Sequence, residues 1–170
     1  MFKGFQWKKE DNGFIYCGCN GETRRINFNG LKLNVRPYAM GWTPEVLPSL
    51  QESWLEICLL FESDQIVLNY QDRVIKQEAQ NVILNLMSIF SCTFFETGIF
   101  FTDEIMDGIP WECLMGERVD LWAFDAEIVR EDMEDIYSPM NCDFLKIKKD
   151  NKTYIFNKNT MNVWDKLICL

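Results

Sequence analysis

At Asp72 the apolar residues of this chain change period, and that change constrains the fold more than any other feature. Upstream, Trp54 to Phe61 places Leu55, Ile57, Leu59 and Phe61 on one face at a spacing of two, with Glu56 and Cys58 on the other. Glu62-Ser63-Asp64-Gln65 is a polar break of hairpin length, after which Ile66, Leu68 and Tyr70 resume the alternation. The pattern predicts two antiparallel strands. Downstream, Ile75, Ala79, Val82, Ile83, Leu86, Met87 and Phe90 recur three and four residues apart, with Lys76, Gln77, Gln80, Asn81, Asn85 and Ser88 opposite. This predicts an amphipathic helix of about five turns, with Asp72 as the N-cap, where a carboxylate can accept from free first-turn amides. A helix that follows a hairpin buries its stripe by lying across a sheet, which predicts a two-layer α+β domain.

Asn20-Gly21 and Asn29-Gly30 are turn dipeptides that tolerate positive φ. The segments around them, Phe14 to Cys19, Glu22 to Phe28 and Leu31 to Val35, predict a three-stranded meander. Its buried face is expected to hold Phe14, Tyr16, Ile26, Phe28, Leu31, Leu33 and Val35. Pro37, Gly41, Pro44 and Pro48 predict a loop over 37–53 that packs down through Tyr38, Met40 and Trp42. Further strands are expected at Gly98 to Thr102 and Arg118 to Phe124, separated by a loop or short helical turn. Phe144 to Lys149 and Thr153 to Asn157 predict a closing hairpin with its lysines in water, and Asn159 to Leu170 has a helical spacing. The expected fold class is α+β, an antiparallel sheet with an N-terminal β-meander and one long amphipathic helix packed on a face. At 170 residues a single domain, 1–170, can bury roughly two-thirds of its unfolded surface without disulfide or metal staples.

There is no histidine, which removes the usual general base, the Ser-His and Cys-His nucleophile pairs and the commonest zinc ligand together. Seven scattered cysteines, an odd number, read as reduced thiols, so the chain is expected in the cytoplasm. Cys17 and Cys19 are spaced C-x-C but lack the further ligands of a zinc site. No run reaches the roughly 18 apolar residues of a membrane span, and Met-Phe-Lys-Gly-Phe-Gln-Trp-Lys-Lys has no apolar signal core. Walker A, dinucleotide-binding and nucleophile-elbow motifs are absent, and no cofactor is expected.

The net charge of −9 is concentrated in one stretch. Residues 103–135 hold twelve acids, Asp103, Glu104, Asp107, Glu112, Glu117, Asp120, Asp125, Glu127, Glu131, Asp132, Glu134 and Asp135, against Arg118 and Arg130, a local −10. One reading is a solvated rim that keeps the domain soluble. A second is a recognition surface, in which carboxylates speed encounter with a cationic protein and Trp111, Trp122 and Phe124 supply buried anchors. A third is a carboxylate-dependent metal enzyme using Asp120, Asp125 and Glu127 with Asp103 and Asp107, although the acids have neither EF-hand nor D-x-D spacing. Direct nucleic-acid binding through this face is disfavoured, because phosphates would be repelled.

Trp54-Leu55-Glu56-Ile57, the helix around Glu78-Ala79-Gln80-Asn81-Val82, and Leu121-Trp122-Ala123-Phe124-Asp125 follow one another in an order that resembles immunity proteins of bacterial polymorphic and contact-dependent toxin systems. The resemblance implies a small acidic cytosolic α+β domain that blocks a cognate toxin, commonly a nuclease with a basic active face. The expected function is therefore a non-enzymatic inhibitor of a basic protein partner, with no direct nucleic-acid or membrane contact. Its expected partner-binding residues are the twelve acids with Trp111 and Trp122. The alternative is a phage- or mobile-element-encoded inhibitor whose acidic face mimics nucleic acid.

Overall fold

The computed structural model describes residues 6–18, 23–28, 30–94, 98–103 and 120–161. The fold is α+β, as the periods predict. The chain gathers into two compact units, residues 1–66 and 67–170, and each is described by itself.

The first unit is built on one long strand. Strands β1 (Lys8–Lys9), β2 (Ile15–Gly18), β3 (Arg24–Phe28), β4 (Leu31–Trp42) and β5 (Trp54–Phe61) form an antiparallel sheet in which β4 pairs with β2, β3 and β5. Along β4, Leu33, Val35, Pro37 and Ala39 are buried while Lys32 and Arg36 are exposed, the alternation of a strand with one buried face. The predicted meander is corrected in its order. Gly30, at φ +89°, makes the β3–β4 turn, but β2 pairs with residues 38–41 of β4 and not with β3. Because β5 takes the opposite edge over residues 35–42 of β4, β2 and β3 lie end to end along the same edge.

The predicted loop over 37–53 is corrected too. Its first six residues, including Tyr38, Met40 and Trp42, continue β4. Proline usually interrupts a central strand by removing a ladder donor. Pro37 falls between the residues paired with β3, which end at Val35, and those paired with β2, which begin at Tyr38. Among the described residues, none of β2 or β3 is paired with it. After β5, Ser63–Ile66 forms a single helical turn, α1, tied to β4 where Asn34 donates its backbone N–H to Gln65 Oε1 (2.7 Å) and its side-chain amide to Glu62 Oε2 (3.0 Å). Ile66, Leu68 and Tyr70 do not form the strand expected to pair with β5. Leu55, expected in the buried face of β5, is 55% exposed.

In the second unit, β6 (Val67–Asn69) and β7 (Val74–Ile75) form a small hairpin that leaves Leu68 and Tyr70 in solvent. Helix α2 (Gln77–Thr93) follows, later than Asp72 because Arg73 takes a left-handed conformation (φ +53°) and Val74–Ile75 are already committed to β7. Asp72 caps nothing on α2; its carboxylate accepts from the Asn69 side-chain amide in the turn (2.7 Å). The apolar stripe is as expected, with Ala79, Val82, Ile83 and Met87 buried. Covering each of the larger three contributes about 1.5–3 kcal/mol as an upper figure. Gln80, expected on the opposite face, is buried too, where its side-chain amide donates to the Ile75 carbonyl (2.8 Å).

Strands β8 (Ile99–Phe101), β9 (Ala126–Arg130), β10 (Phe144–Lys149) and β11 (Lys152–Asn157) make an antiparallel sheet in the order β10-β11-β9-β8. The predicted C-terminal hairpin is present, its turn made by Asp150 and Asn151 at φ +54° and +58°. The strand expected at 118–124 is corrected. Residues 120–125 form a turn and an irregular stretch, with 118 and 119 outside the described residues, and the strand begins at Ala126. This displacement changes where the carboxylates point. β9 lies between two strands and is buried on both faces, Ala126 and Ile128 on one, Glu127 and Val129 on the other. The second face carries a core of Phe124, Val129, Tyr137, Phe144 and Ile155. Tyr137 comes from a 3-10 helix, η1 (Glu131–Tyr137), that follows β9 directly. Helix α2 touches β8 and β9, which leaves it the Ala126 and Ile128 face. Among the described residues no helix is long and apolar enough to cross a membrane.

Candidate functional site

The acidic stretch is sorted by the geometry of η1. A 3-10 helix has three residues per turn, so residues three apart eclipse one another. Glu131-Asp132-Met133-Glu134-Asp135-Ile136-Tyr137 therefore has three faces. Glu131, Glu134 and Tyr137 form the face toward the sheet, where Tyr137 is fully buried. Met133 packs against the aromatic core, and Ile136, one turn on, is 41% exposed. Asp132 and Asp135 point outward.

The sheet-facing acids are matched by a strand lysine. Lys148 of β10 stands opposite Thr153 of β11. Its ammonium bonds Glu134 Oε1 and lies 3.7 Å from Glu131 Oε1, while the Thr153 hydroxyl donates to Glu134 Oε2 (3.3 Å). The hydrogen bond from Lys148 holds the Glu134 carboxyl below its ordinary range and raises Lys148 in turn. Arg130 does the same for Asp132, with Nε donating to Oδ1 at 2.9 Å and a terminal nitrogen bonding Oδ2. Asp135 has no ion-pair partner among the described residues.

The remaining expected site residues lie elsewhere. Asp120 is exposed, but its Oδ1 accepts from Trp122 N (3.0 Å) and its carbonyl from Ala123 N (3.1 Å), so it shapes the turn before β9. Trp122 is half-buried against Phe124, Tyr137 and Phe144, with ring centroids 4.8–6.2 Å apart. It packs against the core from its edge.

Two expected surface acids are corrected outright. Asp125 is 4% and Glu127 0% exposed, because β9 starts later than expected, with Glu127 inside it and Asp125 immediately before it. Asp125 Oδ1 accepts from the Thr160 hydroxyl (2.8 Å), and its Oδ2 lies 3.2 Å from the Arg73 guanidinium, which also contacts Asp103 at 2.7 Å. Burial pushes the Asp125 carboxyl up, opposed by the Thr160 bond and Arg73. Glu127 Oε1 accepts from the Tyr137 phenol, while Oε2 has no hydrogen-bond partner among the described residues. Burial holds Glu127 far above the ordinary carboxyl range. Glu104, Asp107, Trp111, Glu112 and Glu117 lie outside the described residues, as do Cys19 and residues 162–170.

Comparison with protein-family models, with curated proteins and with solved structures gave no match.

Among the described residues, no three His, Cys, Asp or Glu side chains converge as a metal-binding set. Cys17, Cys58, Cys92 and Cys142 carry reduced thiols. An open depression of about 580 Å³ beside η1 is lined by Arg130, Glu131, Asp132, Asp150, Asn151 and Lys152, a mixture of both charges. What the arrangement offers a partner is the outer side of η1. It comprises Asp135, the neighbouring Ile136 at the exposed end of the Met133 face, and Asp132, which is paired with Arg130, on a helix fastened from below by Tyr137 and Lys148. Sequence reasoning missed Ile136, Lys148 and Tyr137. The signal was the three-residue recurrence of acids across 131–135, which fits a 3-10 helix and no strand.

Proposed function

We propose that this chain is a non-enzymatic protein-binding inhibitor that neutralises a more basic protein partner, and that the outer side of η1 is its contact surface. The observation that carries this reading is the exposure of Ile136 next to outward-facing Asp132 and Asp135 on an anchored helix. An apolar centre with a charged margin is the usual anatomy of a protein interface. A surface held by buried side chains also loses little freedom on binding, so more of its contact energy appears as affinity.

The carboxylates would draw in lysines and arginines, and Ile136 would fill a pocket between them. Inhibition would follow by occlusion of the partner's basic surface. The resemblance to immunity proteins, carried by Trp54–Ile57, Glu78–Val82 and Leu121–Asp125, supports a toxin domain as the class of partner.

The test is capture from a lysate of the source cells at low and moderate salt, with the intact chain and an Ile136→Asp, Asp135→Lys variant immobilised side by side. One basic protein recovered in stoichiometric amount by the intact chain and lost from the variant is the expected result. Equal recovery by both, or none by either, would overturn it.

A further inference from the structure

Glu127 has no part in the surface described above, and its carboxyl is enclosed by the second unit. It is fully buried in the middle of β9. Directly opposed residues of antiparallel strands share a face, so its carboxyl stands between Phe100 of β8 and Ile155 of β11. A Cβ built on Gly98 would meet the Phe100 ring at 2.9 Å and Glu127 Oε1 at 3.1 Å, which shows how tightly that side is closed. On the remaining side lies η1, whose last residue, Tyr137, bonds Oε1.

We propose that Glu127 is a proton-operated latch for η1: as the neutral acid it holds Tyr137 and the helix against the sheet, and on losing its proton to solvent it releases them.

The argument is geometric. An ionised carboxylate divides its charge over both oxygens, and here one of them, set among apolar side chains, has no donor among the described residues. Strands β8, β9 and β11 are held by ladder bonds, whereas η1 is one short helix fastened mainly by side chains. Relief therefore comes by moving η1. Of the elements around Glu127, β8 and β11 face it with Phe100 and Ile155, and η1 faces it with Tyr137. Helix α2 lies on the other face of β9, where its buried polar residues are Gln80 and Ser91. Glu134 and Lys148 are paired with each other one turn away, and Asp125 is held by Thr160 and Arg73. Burial raises Glu127 and outweighs the Tyr137 bond, which favours the ionised form; no charged neighbour is among the causes.

The proposal concerns η1 in the free protein, so it stands or falls apart from the partner reading. Amide hydrogen exchange of the full chain, corrected for intrinsic rates, is followed from about pH 5 to about pH 9. Protection of residues 131–137 is expected to fall as pH rises while that of β10 and β11 persists, and Glu127→Gln is expected to keep η1 protected throughout. A flat profile in the unaltered chain, or the same fall in the variant, would overturn the proposal. If the variant does not fold, the unaltered chain decides. Its infrared band for a protonated buried carboxyl should disappear over the same pH interval as the protection of η1, and disappearance over a different interval overturns the latch.

Discussion

Lys148 of β10 and Glu134 of η1 are joined across the edge of the sheet, and the same lysine lies 3.7 Å from Glu131. The acidic stretch is thus partly neutralised by the lysine-rich hairpin that follows it in the chain, and the surface left to a partner is smaller than the run of acids suggests.

Removing that lysine should show directly in the titration of its partner. In Lys148→Met, the Glu134 carboxyl is expected to move up toward its ordinary pKa, because the ammonium bond is the largest influence holding it down. The Tm should change little, since exposed ion pairs are worth little on balance. Carboxyl-carbon NMR titration reads the shift, and an unmoved midpoint would contradict the assignment.

Glu127→Gln should stabilise the protein at neutral pH by on the order of 1–3 kcal/mol, because it replaces an acid whose ionised form is disfavoured by burial with a neutral isostere. The sign follows from the raised folded-state pKa. Its contribution to stability is fully present below the unfolded pKa, about 4.3, and is lost as pH rises through the folded value. The gain from glutamine should therefore be small in acid and grow with pH. Urea unfolding at about pH 4 and pH 7 checks it, and a pH-independent difference would refute it.

How much of this was legible in the sequence depends on the segment. The β10–β11 hairpin was, since Asp150-Asn151 are residues that accept positive φ between two apolar runs. The stripe of α2 was legible for the same local reason, but its start was not, because the pairing of β6 with β7 holds residues 74 and 75 in a strand. The run of β4 through Pro37 was hidden, since proline reads as a break unless one knows that it falls between the residues paired with β3 and those paired with β2. The interior position of Asp125 and Glu127 was lost by placing the strand before them. The pairing of Glu131 and Glu134 with Lys148 depends on register between elements, which no linear charge count contains.

Charge reversal at Asp125 is expected to unfold the second unit and report nothing about an interface. Asp125→Ala removes acceptors for Thr160 and Arg73 and should cost about 1–3 kcal/mol, with the half-exposed Arg73 keeping the figure below that of a fully buried pair. Thermal unfolding measures it; a Tm unchanged from that of the unaltered chain would contradict the buried position.

The two sides of α2 should differ sharply. Ile83→Ala, at a residue 2% exposed, is expected to cost about 2–5 kcal/mol, whereas Ile89→Ala, at a residue 52% exposed, should cost less than about 0.5 kcal/mol. Equal losses in urea denaturation would show the helix facing the wrong way.

The most direct test of the central claim is the association rate with the captured partner, measured for Asp135→Lys and for Glu52→Lys across a range of salt. Both replace an exposed acid with lysine and change the net charge equally, and they differ in place alone. If the outer side of η1 is the contact, Asp135→Lys should slow association several-fold and flatten its salt dependence, while Glu52→Lys should do so far less. An equal slowing by both would mean that only net charge matters, and would contradict the assignment of η1.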